Sequence, residues 1–161
     1  MFTYYLLLGT NLGDRAQNLR NALDQIKLAI GKIKISSSIY ETEPWGLEGQ
    51  PDFLNMVIAV ESRFEPNKVL DLTKIIETNA LAIKEVKWGP RTLDIDILYC
   101  DDLIINTENL TIPHKQLYDR NFTLIPLIEI AGDLMDPKKL LTIDEIYDNC
   151  QDNKEVFIYE E

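Results

Sequence analysis

The segment Arg91-Thr92-Leu93-Asp94-Ile95-Asp96-Ile97-Leu98-Tyr99 alternates apolar and polar side chains with a period of two. This alternation predicts a β-strand, because successive side chains of a strand point to opposite faces of its sheet. We expect Asp94 and Asp96 to share one face, and an apolar set to form the other: Leu93, Ile95, Ile97 and Tyr99. The strand from Thr92 to Tyr99 is the reference point from which the other elements are placed.

The segments before this strand predict the order β-α-β-β-α-β. Strands are expected at Phe2–Leu8, Lys34–Thr42 and Phe53–Glu61. One helix begins at Asp14, which Gln17 caps reciprocally, and ends at Gly31, and a second begins at Pro66. This order is typical of a ferredoxin-like core. We therefore predict an α+β fold with a mostly antiparallel central sheet flanked by helices on both sides.

The segments after this strand predict smaller additions to the core. A short strand at Leu103–Ile105 is expected to pair with the Asp94 strand through a turn at Asp101 and Asp102. A helix is expected at Thr123–Ala131, and the capping box of Thr142 and Glu145 predicts another that runs to about Asn149. Val156–Tyr159 fits either a terminal strand or a docked tail.

Composition restricts the kind of protein and of partner. With 161 residues, 45% of them hydrophobic and 27% charged, the chain is expected to form a single globular domain over residues 1–161. Its net charge of −11 opposes contact with phosphate backbones and anionic lipid, so neither a nucleic-acid nor a membrane partner is expected. The apolar run at Phe2–Leu8 is too short for a membrane span and lacks the basic flank of a signal peptide, which predicts a cytoplasmic location.

Cysteine and histidine content excludes several site types. Two cysteines, Cys100 and Cys150, and one histidine, His114, are too few for a disulfide framework or a Cys/His zinc site. The sequence also lacks the glycine-rich phosphate-binding motifs GxxxxGK[ST] and GxGxxG.

The carboxylates of Asp94 and Asp96 are candidates for a metal site. At this spacing their Cα atoms lie roughly 6.5–7 Å apart on one face of the strand. Two such carboxylates suit a pair of hard divalent cations that hold a phosphoryl group. Alternating aspartates are also common on the solvated face of a strand. Arg91, just before them, could meet phosphate oxygens with two parallel hydrogen bonds.

Two further segments carry residues suited to a flat heteroaromatic ligand. Phe53 and Asn55 share the face of their strand that does not form the core, and offer an aromatic ring beside an amide that can both donate and accept. His114, Arg120 and Phe122 add a titratable group, a cation and a second ring within ten residues. Each segment alone is also explained as ordinary packing or surface.

Taken together, the motifs resemble those of the 6-hydroxymethyl-7,8-dihydropterin pyrophosphokinases of folate biosynthesis over essentially the whole chain. The matching stretches occur in the family's order: Gly9-Thr10-Asn11-Leu12-Gly13-Asp14, Gln50-Pro51-Asp52-Phe53-Leu54-Asn55, Trp88-Gly89-Pro90-Arg91-Thr92-Leu93-Asp94-Ile95-Asp96-Ile97-Leu98, Ile112-Pro113-His114, Arg120-Asn121-Phe122 and Pro126-Leu127. The resemblance implies transfer of pyrophosphate from ATP, as co-substrate, to the hydroxymethyl group of the pterin, with release of AMP.

The resemblance also implies a role for individual residues. Asp94 and Asp96 match the ligands of two magnesium ions, and Arg91 matches a catalytic cation. The pterin positions are matched by Phe53 and Phe122 as stacking rings, Asn55 as a hydrogen-bonding partner and Thr42 through its backbone. Positions around ATP are matched by Glu77, Trp88, Ile97, Thr111, His114 and Arg120. The working enzyme is expected to be a monomer.

The chain departs from the family in one stretch. Members usually carry arginines a few residues after the position of Glu77, whereas residues 78–90 here contain none. We expect Lys84 to supply part of the missing catalytic charge, although a lysine cannot form the two-pronged contact of an arginine. The departure leaves open a degenerate, non-catalytic pterin- or nucleotide-binding module, and the aspartate pair alone leaves open an unrelated two-metal phosphohydrolase.

Overall fold

The computed structural model describes residues 1–44, 49–80 and 92–161. Eight strands lie within these ranges: β1 (Phe2–Thr10), β2 (Lys32–Ser36), β3 (Tyr40–Thr42), β4 (Phe53–Ser62), β5 (Asp94–Cys100), β6 (Ile105–Asn106), β7 (Thr111–Ile112) and β8 (Val156–Ile158). Four α-helices accompany them: α1 (Arg15–Ala29), α2 (Pro66–Asn79), α3 (Asn121–Ala131) and α4 (Ile143–Asp148). A single 3₁₀ turn at Leu117–Asp119 precedes α3.

The main sheet has the strand order β5-β1-β4-β3-β8, and β2 also pairs with β4. Every pairing between its described strands is antiparallel. The order confirms the predicted α+β, ferredoxin-like class with a central antiparallel sheet. The first and the last strand both belong to this sheet, while a single domain over residues 1–161 stays a prediction.

Two apolar clusters confirm that helices cover both faces of the sheet. On one face, residues of α1 and α2 pack against β1 and β4, and the members of this cluster include Leu6, Leu8, Leu19, Ile26, Ile58, Val69 and Ile76. On the opposite face, α3 and α4 pack against the same strands, through Leu7, Val57, Leu98, Leu124, Leu127, Ile143 and Ile146. Burial of each such side chain contributes about 1.5–3 kcal/mol. Below, "the α3 face" means the face that carries Leu7 and Val57.

The alternation expected along β5 is correct as far as Ile97 and wrong at Tyr99. Leu93, Ile95 and Ile97 pack on the α1 and α2 side, but Tyr99 packs on the α3 face beside Leu98. The cause is a bulge, since Leu6 pairs with Ile97 whereas Tyr5 pairs with Tyr99, which leaves Leu98 as an extra residue. An extra residue in one strand reverses the facing of every side chain beyond it.

The predicted strand Lys34–Thr42 is two strands, β2 and β3, separated at Ser37. The backbone N–H of Ser37 donates to the Val57 carbonyl at 2.8 Å. The Val57 N–H donates to the Ser37 hydroxyl at 3.0 Å instead of to a carbonyl. Because the Ser37 hydroxyl replaces a backbone carbonyl as acceptor, the buried Val57 N–H stays hydrogen-bonded although the backbone pairing with β4 is interrupted here.

The short strand expected at Leu103–Ile105 lies elsewhere and has a different partner. β6 covers Ile105–Asn106 and pairs with β7 rather than with β5. Asp101 instead stays with β1, because its N–H donates to the Thr3 carbonyl and its carboxylate accepts from the Thr3 N–H. Asp101 also has a positive φ of 46°, and the chain turns there, so the residues after it do not continue alongside β5.

The predicted helix ends are largely confirmed. The Asp14 carboxylate accepts from the Gln17 N–H at 3.1 Å, but the expected reciprocal bond is wrong, since the Gln17 amide contacts Arg20 and Asn21 instead. Thr142 and Glu145 form the complete capping box. The third helix begins at Asn121, two residues earlier than predicted. No helix among the described residues has the length and apolar character needed to cross a membrane.

Candidate active site

Two predicted site residues, Asn55 of β4 and Asp94 of β5, lie in one row on the α3 face. Gly9 of β1 pairs with Asn55 of β4 on one side and with Asp94 of β5 on the other. Tyr40 of β3 extends the row beyond Asn55. Because directly paired residues share a face, Asn55 and Asp94 lie on the same surface, roughly 10 Å apart across two strand spacings. One pair further along, Leu7 lies between Val57 and Asp96.

Gly9 allows the Asn55 amide to lie close against the backbone of β1. A Cβ atom built on Gly9 would lie 2.7 Å from the Asn55 amide oxygen, closer than real Cβ contacts allow. The amide oxygen therefore lies over the Gly9 backbone. Any larger residue at position 9 would displace it.

Asn55 is buried, with 4% of its surface exposed, and its amide has a defined orientation. The amide nitrogen donates to the Thr42 hydroxyl at 3.3 Å. Within the described ranges, no donor reaches the amide oxygen. A buried acceptor without a partner costs about 1–3 kcal/mol, so this oxygen is suited to a ligand N–H.

The predicted aromatic pair frames the same face from two elements. Phe53 begins β4, is half-buried and is paired with Thr42 of β3. Phe122 is the second residue of α3, the helix that packs on β4. Its ring lies 5.2 Å from the guanidinium carbon of Arg120.

Negative charge is concentrated around Asp94 and Asp96. Glu77 lies near them at the end of α2. Burial, and then the charge of Asp94, raise the pKa of its carboxyl to about 7. Glu77 accepts a hydrogen bond from the Ile95 N–H at 3.0 Å, which anchors α2 to β5 between the two aspartates. A cation placed here would relieve the mutual repulsion of these carboxylates.

His114 stands beside Asp96 as a neutral imidazole. Burial, and then the Arg120 charge, lower its pKa to about 4. Its Nδ1 accepts from the Gln116 N–H at 3.2 Å, so the ring proton is on Nε2, which lies 3.9 Å from the Asp96 carboxylate. That distance is too long for a hydrogen bond, and the neutral ring forms no ion pair.

Arg120 brings a buried positive charge toward the aspartates. Burial lowers the pKa of its guanidinium, while the charges of Asp96 and Asp94 oppose this shift. Its Nη2 donates to the Gln116 side chain at 2.5 Å. Arg120 and His114 lie on either side of the 3₁₀ turn, and both side chains approach Asp96 of β5.

A cleft of about 220 Å³ beside β5 brings together three residues predicted at the nucleotide: Ile97, Thr111 and His114. Leu70 and Lys74 of α2 and Asp96 also line it, so its wall carries both apolar and charged side chains. A larger depression of about 580 Å³ near Tyr5 and Glu129 is lined by none of the predicted residues. The residues that line the two depressions therefore favour the smaller one as the nucleotide site.

The donor set fits magnesium. Asp94 and Asp96 are half-buried carboxylates on one face, and carboxylate oxygens are the ligands that this hard cation prefers. No group of three or more metal-ligating side chains exists among the described residues. Two carboxylates suffice for magnesium, which retains water and takes substrate phosphates as its other ligands.

Three predicted site residues lie outside the described residues: Arg91 and Lys84, predicted to be catalytic, and Trp88, predicted at the nucleotide. Their roles stay predictions.

Sequence reasoning did not assign roles to the residues that fasten the segment before β4. The buried Asn11 side chain donates to the Gln50 side chain at 2.9 Å and to the Pro51 carbonyl at 3.0 Å. Arg15 donates to Glu41 at 2.6 Å and to the Asp52 carbonyl at 2.9 Å. Asn11 lay within a quoted motif, but Arg15 gave no local signal, since its partners are 26 and 37 residues away.

Comparison with known proteins agrees with this arrangement. The model of the family described as 7,8-dihydro-6-hydroxymethylpterin-pyrophosphokinase matches residues 5–132. The chain belongs to this family. It is therefore a transferase of the pyrophosphokinase class.

Individual relatives are similar over most of the chain. The 2-amino-4-hydroxy-6-hydroxymethyldihydropteridine pyrophosphokinase of Haemophilus influenzae is 39% identical over 155 residues, 96% of each chain. The protein of the same name from Bacillus subtilis is 44% identical over 129 residues, 79% of this chain and 77% of the relative. Among solved structures, wild-type HPPK-DHPS of Plasmodium falciparum superposes with a TM-score of 0.73 at 19% identity, over 92% of this chain and 43% of that one. This last likeness supports the fold alone.

Proposed function

We propose that this pyrophosphokinase transfers the pyrophosphoryl group of ATP to the hydroxymethyl group of 6-hydroxymethyl-7,8-dihydropterin, with release of AMP. The observation that carries the proposal is the row Asn55–Gly9–Asp94, which puts an amide suited to a heterocycle and a carboxylate suited to magnesium on one face. Because Gly9 lacks a side chain, the amide oxygen of Asn55 lies over β1 between the two strands, beside the carboxylate of Asp94.

The pterin side of the site is formed by β3, β4 and α3. The Thr42 hydroxyl holds the Asn55 amide nitrogen, so the amide oxygen is left to accept from a ring N–H of the pterin. Phe53 and Phe122 supply the flat apolar surfaces on which a heterocycle stacks. A buried acceptor that needs a donor rejects ligands without one, which gives this side its selectivity.

The nucleotide side of the site is formed by β5, β7 and the segment that follows. The cleft lined by Ile97 and Thr111 takes the base, and the end that Asp96 lines takes the phosphates. Arg120 approaches that end as a cation, and neutral His114 offers its Nε2–H as a donor. Glu77 keeps β5 in place against α2.

Asp94 and Asp96 would hold two magnesium ions. When bound, the ions would neutralise phosphate charge and align the transferred group. The residues of the chain add fixed cations: we propose that Arg91 and Lys84 face the β- and γ-phosphates, where charge is spread in the transition state. The hydroxymethyl oxygen attacks the β-phosphorus and gives up its proton to water. The bond between the β-phosphorus and the bridging oxygen breaks, and AMP leaves with that oxygen.

Product analysis distinguishes this activity from its alternatives. Purified protein with ATP, MgCl₂ and the hydroxymethyl pterin should give AMP and pterin diphosphate in equal amounts. Binding of both ligands without AMP would instead support the degenerate binding module. ADP or free phosphate released without need of the pterin would support a two-metal phosphohydrolase. The cytoplasmic location and the monomeric state stay predictions of the sequence.

A further inference from the structure

The segment between α4 and β8 crosses the beginning of α3. The residue that precedes this helix, Arg120, provides no side-chain cap. Asp152, thirty-one residues after Asn121, provides one instead, because its Oδ2 accepts from the Asn121 N–H at 2.9 Å. A carboxylate at this end of a helix satisfies an N–H without a partner and meets the positive end of the helix dipole.

Asn121 returns two hydrogen bonds to the same segment. Its buried side-chain amide donates to the Asp152 carbonyl at 2.5 Å and to the Lys154 carbonyl at 3.5 Å. The second carboxylate oxygen of Asp152 accepts from the Lys154 N–H at 3.0 Å, which closes the turn. The position of the first turn of α3 is thus fixed by a distant segment rather than by its own sequence.

The same segment also reaches the chain after β3. The ammonium group of Lys154 donates to the Pro44 carbonyl at 3.4 Å. Pro44 follows Thr42 by two residues, and Phe122 follows Asn121 directly. Asp152 and Lys154 therefore connect the two walls between which the pterin is proposed to lie.

We propose that Asp152 and Lys154 are positioning residues of the pterin site, which set the separation of Phe122 from the backbone at Pro44. The inference rests on the proposed function. Neither residue needs to touch the substrate, because Asp152 acts through Asn121 and Lys154 acts through Pro44. Neither contact involves the two aspartates or a residue that lines the nucleotide cleft, and Arg120 keeps its own hydrogen bond to Gln116, so we expect the main effect on the pterin.

Steady-state kinetics of Asp152→Ala and Lys154→Met test this role, with Asp148→Ala and Lys68→Met as controls at exposed helical positions that change the same charge. We expect the KM for the pterin to rise about five- to tenfold, as for the loss of a helix cap, with kcat and the KM for ATP within about twofold of wild type. Asp152→Asn should restore the pterin KM only in part, because its amide oxygen can still accept from the Asn121 N–H but its amide nitrogen cannot accept from the Lys154 N–H.

Calorimetric titration with the pterin and with a non-hydrolysable ATP analogue gives a second readout that needs no turnover. A pterin affinity unchanged in Asp152→Ala, or an equal loss for both ligands, would contradict the proposal. Thermal unfolding of each variant identifies any loss that comes from unfolding, and kinetics are then measured below that temperature. If wild type itself released no AMP, the proposed function would fail, and the pterin titration would still decide the positioning role.

Discussion

Gly9 and Asn55 are paired across β1 and β4 so closely that a Cβ atom on Gly9 would lie 2.7 Å from the amide oxygen of Asn55. The glycine is needed here for close approach, since its φ is not positive. The pair explains how a buried amide oxygen can remain directed at a ligand beside the first aspartate of β5.

Gly9→Ala should weaken pterin binding by about 1–3 kcal/mol, because the amide must rotate and its hydrogen bond to the ligand is lost. ATP binding should change little. Titration calorimetry on Gly9→Ala, Asn55→Ala and the double variant tests the mechanism. If the alanine acts through the amide, it should have little further effect once Asn55 is absent, and fully additive losses would show that it acts elsewhere.

Much of this site could be predicted from the sequence because its strands alternate regularly. The period of two in β4 predicts that Asn55 lies on the face of its strand opposite the apolar core residues. The same period in β5 predicts that Asp94 and Asp96 share one face of their strand. Both placements follow from local geometry. The facing of Tyr99 could not be predicted in this way, since the bulge depends on how β5 registers with β1. The roles of Arg15 and Asp152 depend on contacts 26 to 37 residues away, for which a single sequence carries no local signal.

Asp94→Ala and Asp96→Ala should each lower kcat by two or more orders of magnitude, as expected for the loss of a metal ligand. Stability in metal-free buffer should be unchanged or slightly higher, because each change removes one of several neighbouring like charges. Asp102→Ala, at an exposed turn after the same strand, is the matched control. Activity near wild type in either variant would remove these residues from the metal site.

Phe53→Ala and Phe122→Ala should each weaken pterin binding by on the order of 1–3 kcal/mol, by analogy with bases stacked on aromatic side chains. Affinity for a non-hydrolysable ATP analogue should be retained, because the phosphates are held by other residues. Calorimetric titration of both ligands into both variants measures this difference. Equal weakening of the two ligands would mean that the rings only support the fold.

Glu129→Gln should destabilise the protein more at neutral pH than at low pH. Burial raises the pKa of the Glu129 carboxyl, yet hydrogen bonds from the Tyr40 hydroxyl at 2.7 Å and from the Ser38 hydroxyl and N–H outweigh it and lower the pKa overall. A lowered pKa in the folded state stabilises the protein above the unfolded value of about 4.3, and this stabilisation is lost as the pH falls through the folded value.

Urea unfolding of wild type and Glu129→Gln at pH 7 and pH 3 measures this dependence. The variant should be less stable at pH 7 by at most about 1 kcal/mol, because solvent screens this exposed carboxylate, and the difference should shrink at pH 3. Glu160→Gln, at an exposed position, is the control for the same change of side chain. A constant difference at both pH values would show that the charge of Glu129 contributes nothing.

The most direct test of the account is to follow the β-phosphorus of ATP. With ATP labelled at that position, MgCl₂ and the hydroxymethyl pterin, all transferred label should appear in pterin diphosphate, with one unlabelled AMP formed for each pterin consumed. Label in ADP, or in pyrophosphate released without the pterin, would contradict the claim that this site moves a pyrophosphoryl group to the pterin.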